Sequence, residues 1–409
     1  MNFTAPEIRE MMSNLNIDCK GYLFRFALAV LSMVTVYSAV DFWTLRNWDT
    51  KESLVVKVMD VGEEKILSPE EEDDEPFRTV ETKLAIQVLT GEQKGENFSI
   101  AVTQMENNGM ELKKGRRYIL VVDVFDDGSM QYSIADVFRI PSVMGVVVFL
   151  CGCLIAFTGF VGAKALLGLG FSIGCLLWGY IPLVAKGVPP VPLAFLCVLF
   201  ISVATIFCVV RRKQARVIVL LGSMGGVSGA FLLGALIVEL WQISGRAGES
   251  SSLLVTTIAG INIKGILLSS IVISAVGAVL DVGISIAAAM SELVEYDSEI
   301  AWLSLWTAGI RVGSEVLGSM INTLILAYIG TSLPIAILIG NAGANFWGLM
   351  NDPYVSQEIL QSVAGTSGLL LTIPITATFF VLREKVLKKN FRAETDNKDD
   401  AVRENSSVP

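Results

Sequence analysis

Asp281, Ser285 and Glu292 stand four and eleven residues apart in and beside an apolar stretch from about 265 to 290. Arg311, Glu315 and Asn322 repeat that spacing shortly afterwards. At 3.6 residues per turn, Asp281, Ser285, Ala288 and Glu292 share one helix face, and so do Arg311, Glu315, Gly318 and Asn322. Placing a carboxyl at bilayer depth costs roughly 2.5–3.5 kcal/mol on the mild insertion scale. A polar stripe at that depth is suited to bind a cation or take up a proton. The alternative is a network that pins two helices by hydrogen bonds, each contributing about 0.6 kcal/mol. If the two stripes face each other, Arg311 and Glu315 meet Glu292, while Asn322 and Thr323 approach Asp281.

The elements that must position these residues are membrane helices. The chain has 409 residues, of which 53% are hydrophobic and only 17% charged. Several apolar runs reach the roughly 20 residues needed to cross about 30 Å of hydrocarbon. The first covers 22–40 and reads as a retained anchor, being longer than the apolar core of a signal peptide and lacking a small-residue cleavage site. Seven more follow, at about 141–162, 164–184, 191–210, 216–241, 265–290, 315–340 and 365–383. Lys and Arg cluster at Arg211, Arg212, Lys213 and Arg216 and again at Arg383, Lys385, Lys388 and Lys389. Positive loops stay inside, so eight spans leave both termini cytoplasmic. The fifth span carries Gly222, Gly225, Gly226 and Gly229, two overlapping G-x-x-x-G patterns. They read as a close-packing face, with a bendable helix lining a pathway as the alternative. Gly330 and Pro334 are expected to interrupt the seventh span. Before it, 298–310 reads as an amphipathic stretch whose Trp302 and Trp306 suit the membrane interface.

Residues 42–139 follow another rule. Short β-branched stretches alternate at 54–58, 84–89, 98–102, 118–122 and 131–134, with turn signals at 91–95, 107–109 and 126–128. Five strands in under a hundred residues predict a small antiparallel barrel, OB-like, outside the membrane between the first two spans. An acidic run from Glu70 to Glu75 reads as a solvated loop, with cation capture as the alternative. The resulting organisation is a cytoplasmic tail with its anchor (1–41), an extracytoplasmic β domain (42–139), a seven-helix membrane domain (140–389) and a disordered cytoplasmic tail (390–409).

Composition also narrows the chemistry. The chain contains no histidine, which excludes His-containing metal sites, Ser-His-Asp or Cys-His nucleophiles and a His proton relay. No metal site and no cofactor are expected. The six cysteines lie in or beside apolar runs, so Cys151 and Cys153 read as small hydrophobes in a helix. No phosphate-binding loop follows the glycines of the fifth span, which removes nucleotide-driven transport. No basic patch with an aromatic platform points to nucleic acid.

The segment Gly277–Ile286 (GAVLDVGISI), the segment Gly318–Tyr328 (GSMINTLILAY) and Ser332-Leu333-Pro334 resemble the YibE/F-like family of bacterial multi-pass membrane proteins. The order of anchor, external β domain and seven further spans is also similar to that family. Where the family pattern has Gly-Arg-Asp entering the seventh span, this chain reads Gly313-Ser314-Glu315, with Arg311 one turn before the acid. The resemblance implies a cytoplasmic-membrane location in a bacterium and a permease-like role. Joined to the stripes, it predicts a transporter of a small solute or ion rather than an enzyme, with Asp281, Ser285, Glu292, Arg311, Glu315, Asn322 and Thr323 lining its path. The alternative is a non-transporting scaffold or sensor whose β domain binds an envelope partner. Expected partners are the lipid bilayer, the small solute or ion, and a second copy or an envelope protein.

Overall fold

The protein is described by a computed structural model covering residues 5–48, 53–66, 79–91, 94–105, 111–124, 130–210, 212–247, 249–258, 260–341 and 346–406. The acidic run Glu70–Glu75 and the turns at 107–109 and 126–128 lie outside the described residues. The chain divides into two compact units, Met1–Ala163 and Lys164–Pro409, each taken by itself below.

In the first unit, α1 (Ala5–Asn47) packs along α2 (Ile140–Thr158). Gly152 sets how closely they approach, since a Cβ there would lie 2.9 Å from the Cβ of Ala29. Between these helices the chain forms β1 (Ser53–Ile66), β2 (Thr79–Val88), β3 (Asn97–Met105), β4 (Arg117–Val124) and β5 (Met130–Val137). Each expected strand is present. Alternation fills one face, where Val56, Val58, Leu84, Ile86, Val88, Ile100, Val102, Tyr118 and Leu120 are buried together. The buried Tyr118 hydroxyl accepts from Lys113 N at 2.9 Å and donates to Glu111 O at 3.2 Å.

The expected barrel is not what these strands build. They form an open antiparallel sheet in the order β3-β2-β1-β4-β5, with β3 and β5 at its two edges. β1, the longest strand at 14 residues, is central: its start pairs with β4, and the stretch from Val56 to Ile66, bulged at two places, pairs with β2. β3, β4 and β5 have nine, eight and eight residues, and among the described residues β3 and β5, though near each other, share no ladder. Alternation identifies a buried face, but closure also demands strand tilt and a shared register around the ring.

After α3 (Phe160–Gly174) the second unit continues through a π-helical turn (Cys175–Tyr180) into α4 (Ile181–Ala185). Next come α5 (Pro190–Val209), α6 (Lys213–Leu240), α7 (Glu249–Thr257), α8 (Ile263–Tyr296), α9 (Trp302–Asn341), α10 (Phe346–Met350) and α11 (Pro353–Ser406). Among the described residues, and including the one in α1, eight helices are long and apolar enough to cross a membrane. Only the first part of α11, Pro353–Val386, qualifies; its helical backbone continues to Ser406 over residues that composition alone leaves without fixed structure.

The centre of this unit is the contact of α6, α8 and α11. The glycines of α6 do what the close-packing reading expects. A Cβ on Gly226 would meet Gly368 O of α11 at 2.7 Å and run into the Thr372 side chain. One on Gly222 would collide with Thr376, and one on Gly229 with Leu371. Removing those side chains lets two backbones touch, which supplies the dispersion contacts that hold helices together where lipid offers no hydrophobic drive. The hydroxyl of Thr372 donates to Gly368 O at 2.7 Å, so this polar group is satisfied within its own helix.

α9 joins this core by one face. Leu305 is fully buried, Gly309 meets Met290 of α8 and Ala377 of α11, and Gly313 meets Ile286 and Ile373. Trp306 Nε1 donates to Thr378 Oγ1 at 3.2 Å. Residues 302–310 thus open α9 and pack on α11 rather than forming a separate interfacial helix. Gly330 and Pro334 lie within α9, whose helical backbone runs on past both to Asn341.

Candidate functional site

α8 starts at Asn262, whose side chain accepts from Gly265 N at 2.8 Å and so caps the helix. Asp281 lies near its middle. The apolar residues around it, Val279, Leu280, Val282 and Ile286, are all buried in the core. What that packing leaves over is a narrow stripe: Ser274, Gly277, Asp281, Ala288 and Glu292 are exposed, and Ser285 is half-buried. The Ser285 hydroxyl donates back to Asp281 O at 2.8 Å, a local bond that leaves the carboxylate of Asp281 free.

The lower end of this stripe opens into a cavity of about 220 Å³. Ile284, Ala287, Ala288, Ser291 and Glu292 of α8 form one wall, and Val209, Val210, Arg212 and Ala215, at the joint of α5 and α6, form the other. Arg212 donates to Ser291 O at 3.1 Å and pairs with Glu295. The mouth therefore holds a tethered cation beside the unpaired Glu292. Asp281 lies about 16 Å above Glu292 along the axis, at 1.5 Å per residue.

The stripe on α9 has other surroundings. Arg311, Ser314, Glu315, Gly318, Ser319, Asn322 and Thr323 are all exposed. Arg311 and Glu315 each follow a packing glycine, Gly309 and Gly313, by two residues, which is about 200° of helix rotation. The α9 stripe therefore points away from α8. On α8, Glu292 follows Met290, which touches α9, by the same two residues. The two stripes stand on outward faces of their own helices and do not meet. Among the described residues, Asp281, Glu292, Arg311, Glu315 and Asn322 have no hydrogen-bond or ion-pair partner for their side chains. Thr323 Oγ1 donates to Ser319 O at 3.2 Å.

Sequence reasoning missed three features. Arg212 and Ser291 line the cavity although neither belongs to a stripe, and in the sequence Arg212 signals only topology. Gly309 and Gly313 repeat the small-residue spacing seen on α6, so the signal for which face of α9 packs was present. Glu358 lies in the last apolar span with its side chain at Ser332 of α9; a span drawn from 365 onward leaves it out. Among the described residues no group of three or more Cys, Asp and Glu could hold a metal ion.

Helices of this length and composition, with the core they form, define a multi-pass membrane protein. A family model described as YibE/F-like protein matches residues 146–385, and the chain belongs to that family. No curated protein and no solved structure matches it.

Proposed function

We propose that the protein is a permease for a small solute or ion in the cytoplasmic membrane of a bacterium, and that it is not an enzyme. In this reading both termini are cytoplasmic and the sheet is extracytoplasmic, a placement supported by the distribution of Lys and Arg. One observation carries the reading. Asp281 stands unpaired in the middle of the most buried span, on a stripe that leads into the cavity at Glu292. A carboxylate that served only to hold helices together would have a partner. In this reading Asp281 binds the cation or proton, Ser285 and Glu292 continue the path, and Arg212 sets the field at its mouth. Arg311, Glu315, Asn322 and Thr323, turned away from that path, meet whatever completes the wall: a second copy or an envelope protein.

Purified protein in sealed vesicles containing a pH-sensitive dye, challenged in turn with Na⁺, K⁺ and Mg²⁺ gradients, tests this. At least one gradient should drive a pH change that Asp281→Asn abolishes. Identical traces from wild type and Asp281→Asn under every gradient would refute it. The second reading, a scaffold or sensor, draws on the open five-stranded sheet as a docking surface for an envelope partner.

A further inference from the structure

At the opposite end of α6 from Arg212 the second unit has a larger cavity, of about 630 Å³. Trp241, Gln242 and Ser244, where α6 ends, form one side; Asn351, Ser356 and Gln357, where α11 begins, form the other. Among the described residues no charged side chain lines it. Asp352, in the midst of the second group, is occupied as the cap of α11, accepting from Tyr354 N at 2.9 Å and Val355 N at 3.1 Å.

Two details mark these walls as more than a gap between loops. Gln357 Nε2 is buried and has no hydrogen-bond partner among the described residues. A buried amide donor left unpaired is costly, and a ligand acceptor or water restores the bond. Gln242 has φ of 52°, the one non-glycine residue described with a positive φ. Its N–H reaches Glu239 O at 3.3 Å and that of Ile243 reaches Val238 O at 3.0 Å. This is a Schellman turn closing α6, and its left-handed position ordinarily takes Gly or Asn. A glutamine there brings an amide side chain to the cavity wall at the cost of backbone strain.

We propose that this cavity binds a neutral polyhydroxylated solute of mono- to disaccharide size, whose hydroxyls bond the amides of Gln357, Asn351 and Gln242 while Trp241 covers an apolar ring face. Amides serve hydroxyls as both donors and acceptors. The lack of a lining charge disfavours an ion, because nothing there would replace its hydration. The amides disfavour a lipid tail. This inference does not rest on transport, since binding is read without flux.

Full-length protein in detergent, titrated calorimetrically with glucose and with sucrose, should give saturable heat with at least one of them. Gluconate and glucosamine, matched in size but charged, should bind more weakly. Gln357→Met keeps the length and removes the amide, and should weaken binding about fivefold, the loss of one neutral hydrogen bond. Gln242→Gly relieves the left-handed backbone, so it should keep or raise the melting temperature while still weakening binding. That opposition separates a ligand contact from a structural role. Absence of saturable heat with both sugars would overturn the proposal and leave the cavity to water. Binding that Gln357→Met does not weaken, or tighter binding of a charged control, would overturn it as well.

Discussion

α8 and α9 are consecutive, both long and apolar, and carry polar residues at the same offsets, yet their surroundings differ. In the most apolar 18-residue window of α8, 56% of residues are buried; in that of α9, none is. α8 packs against α5, α6, α9 and α11, so its stripe is the strip those contacts leave uncovered. α9 packs against α8 and α11 through one glycine-lined face, so its stripe is part of a wide open side. Equal spacing therefore does not mean equal role. A polar residue on a nearly enclosed helix has a defined environment and can act at a fixed place, whereas one on an open helix waits for whatever covers it.

The largest expected effect comes from adding bulk on each side of this contrast. Gly226→Leu drives a side chain into Gly368 and Thr372 and should abolish a monodisperse peak in size-exclusion chromatography. Gly318→Leu on α9 meets nothing within 4 Å of its new Cβ and should elute as wild type. Loss of the folded protein in both would show that α9 is as enclosed as α6.

Removing bulk should follow the same division on a smaller scale. Met290 is fully buried between α8 and α9, so Met290→Ala should lose about 2–5 kcal/mol of stability in thermal or denaturant unfolding. Leu326 is 59% exposed, and Leu326→Ala should stay within about 0.5 kcal/mol. Arg212→Ala should also change stability little, at most about 1 kcal/mol, because the side chains of Arg212 and Glu295 are 42% and 65% exposed. Its consequence should instead appear as an altered response to ionic strength in the vesicle assay.

Much of this contrast was legible in the sequence, and its limits have physical causes. Twenty apolar residues announce a span whatever the tertiary context, and Gly222, Gly226 and Gly229 announce a close neighbour. Periodicity shows that Asp281 shares a face with Glu292, because that follows from helix geometry alone. It cannot show which neighbour the face meets, and so the stripes of α8 and α9, which pairing logic would bring together, turn out to point apart. The strands were legible by alternation, but an open sheet and a barrel have the same alternation. Gln242 and Gln357 lie too far apart in the chain for any spacing rule to join them, and Glu358 was hidden by the polar residues that begin α11.

The central claim is that water reaches Asp281 along the α8 stripe. With the six native cysteines replaced, Ser285→Cys, Ala288→Cys and a packing-face control, Val282→Cys, are exposed to a membrane-impermeant thiol reagent in intact cells and in inside-out vesicles. Ser285→Cys and Ala288→Cys should be labelled from at least one side, Val282→Cys should be protected from both, and Glu299→Cys, in the exposed turn before α9, should react from one side as a positive control. Protection of both stripe positions from both sides, with Glu299→Cys reacting, would contradict the claim.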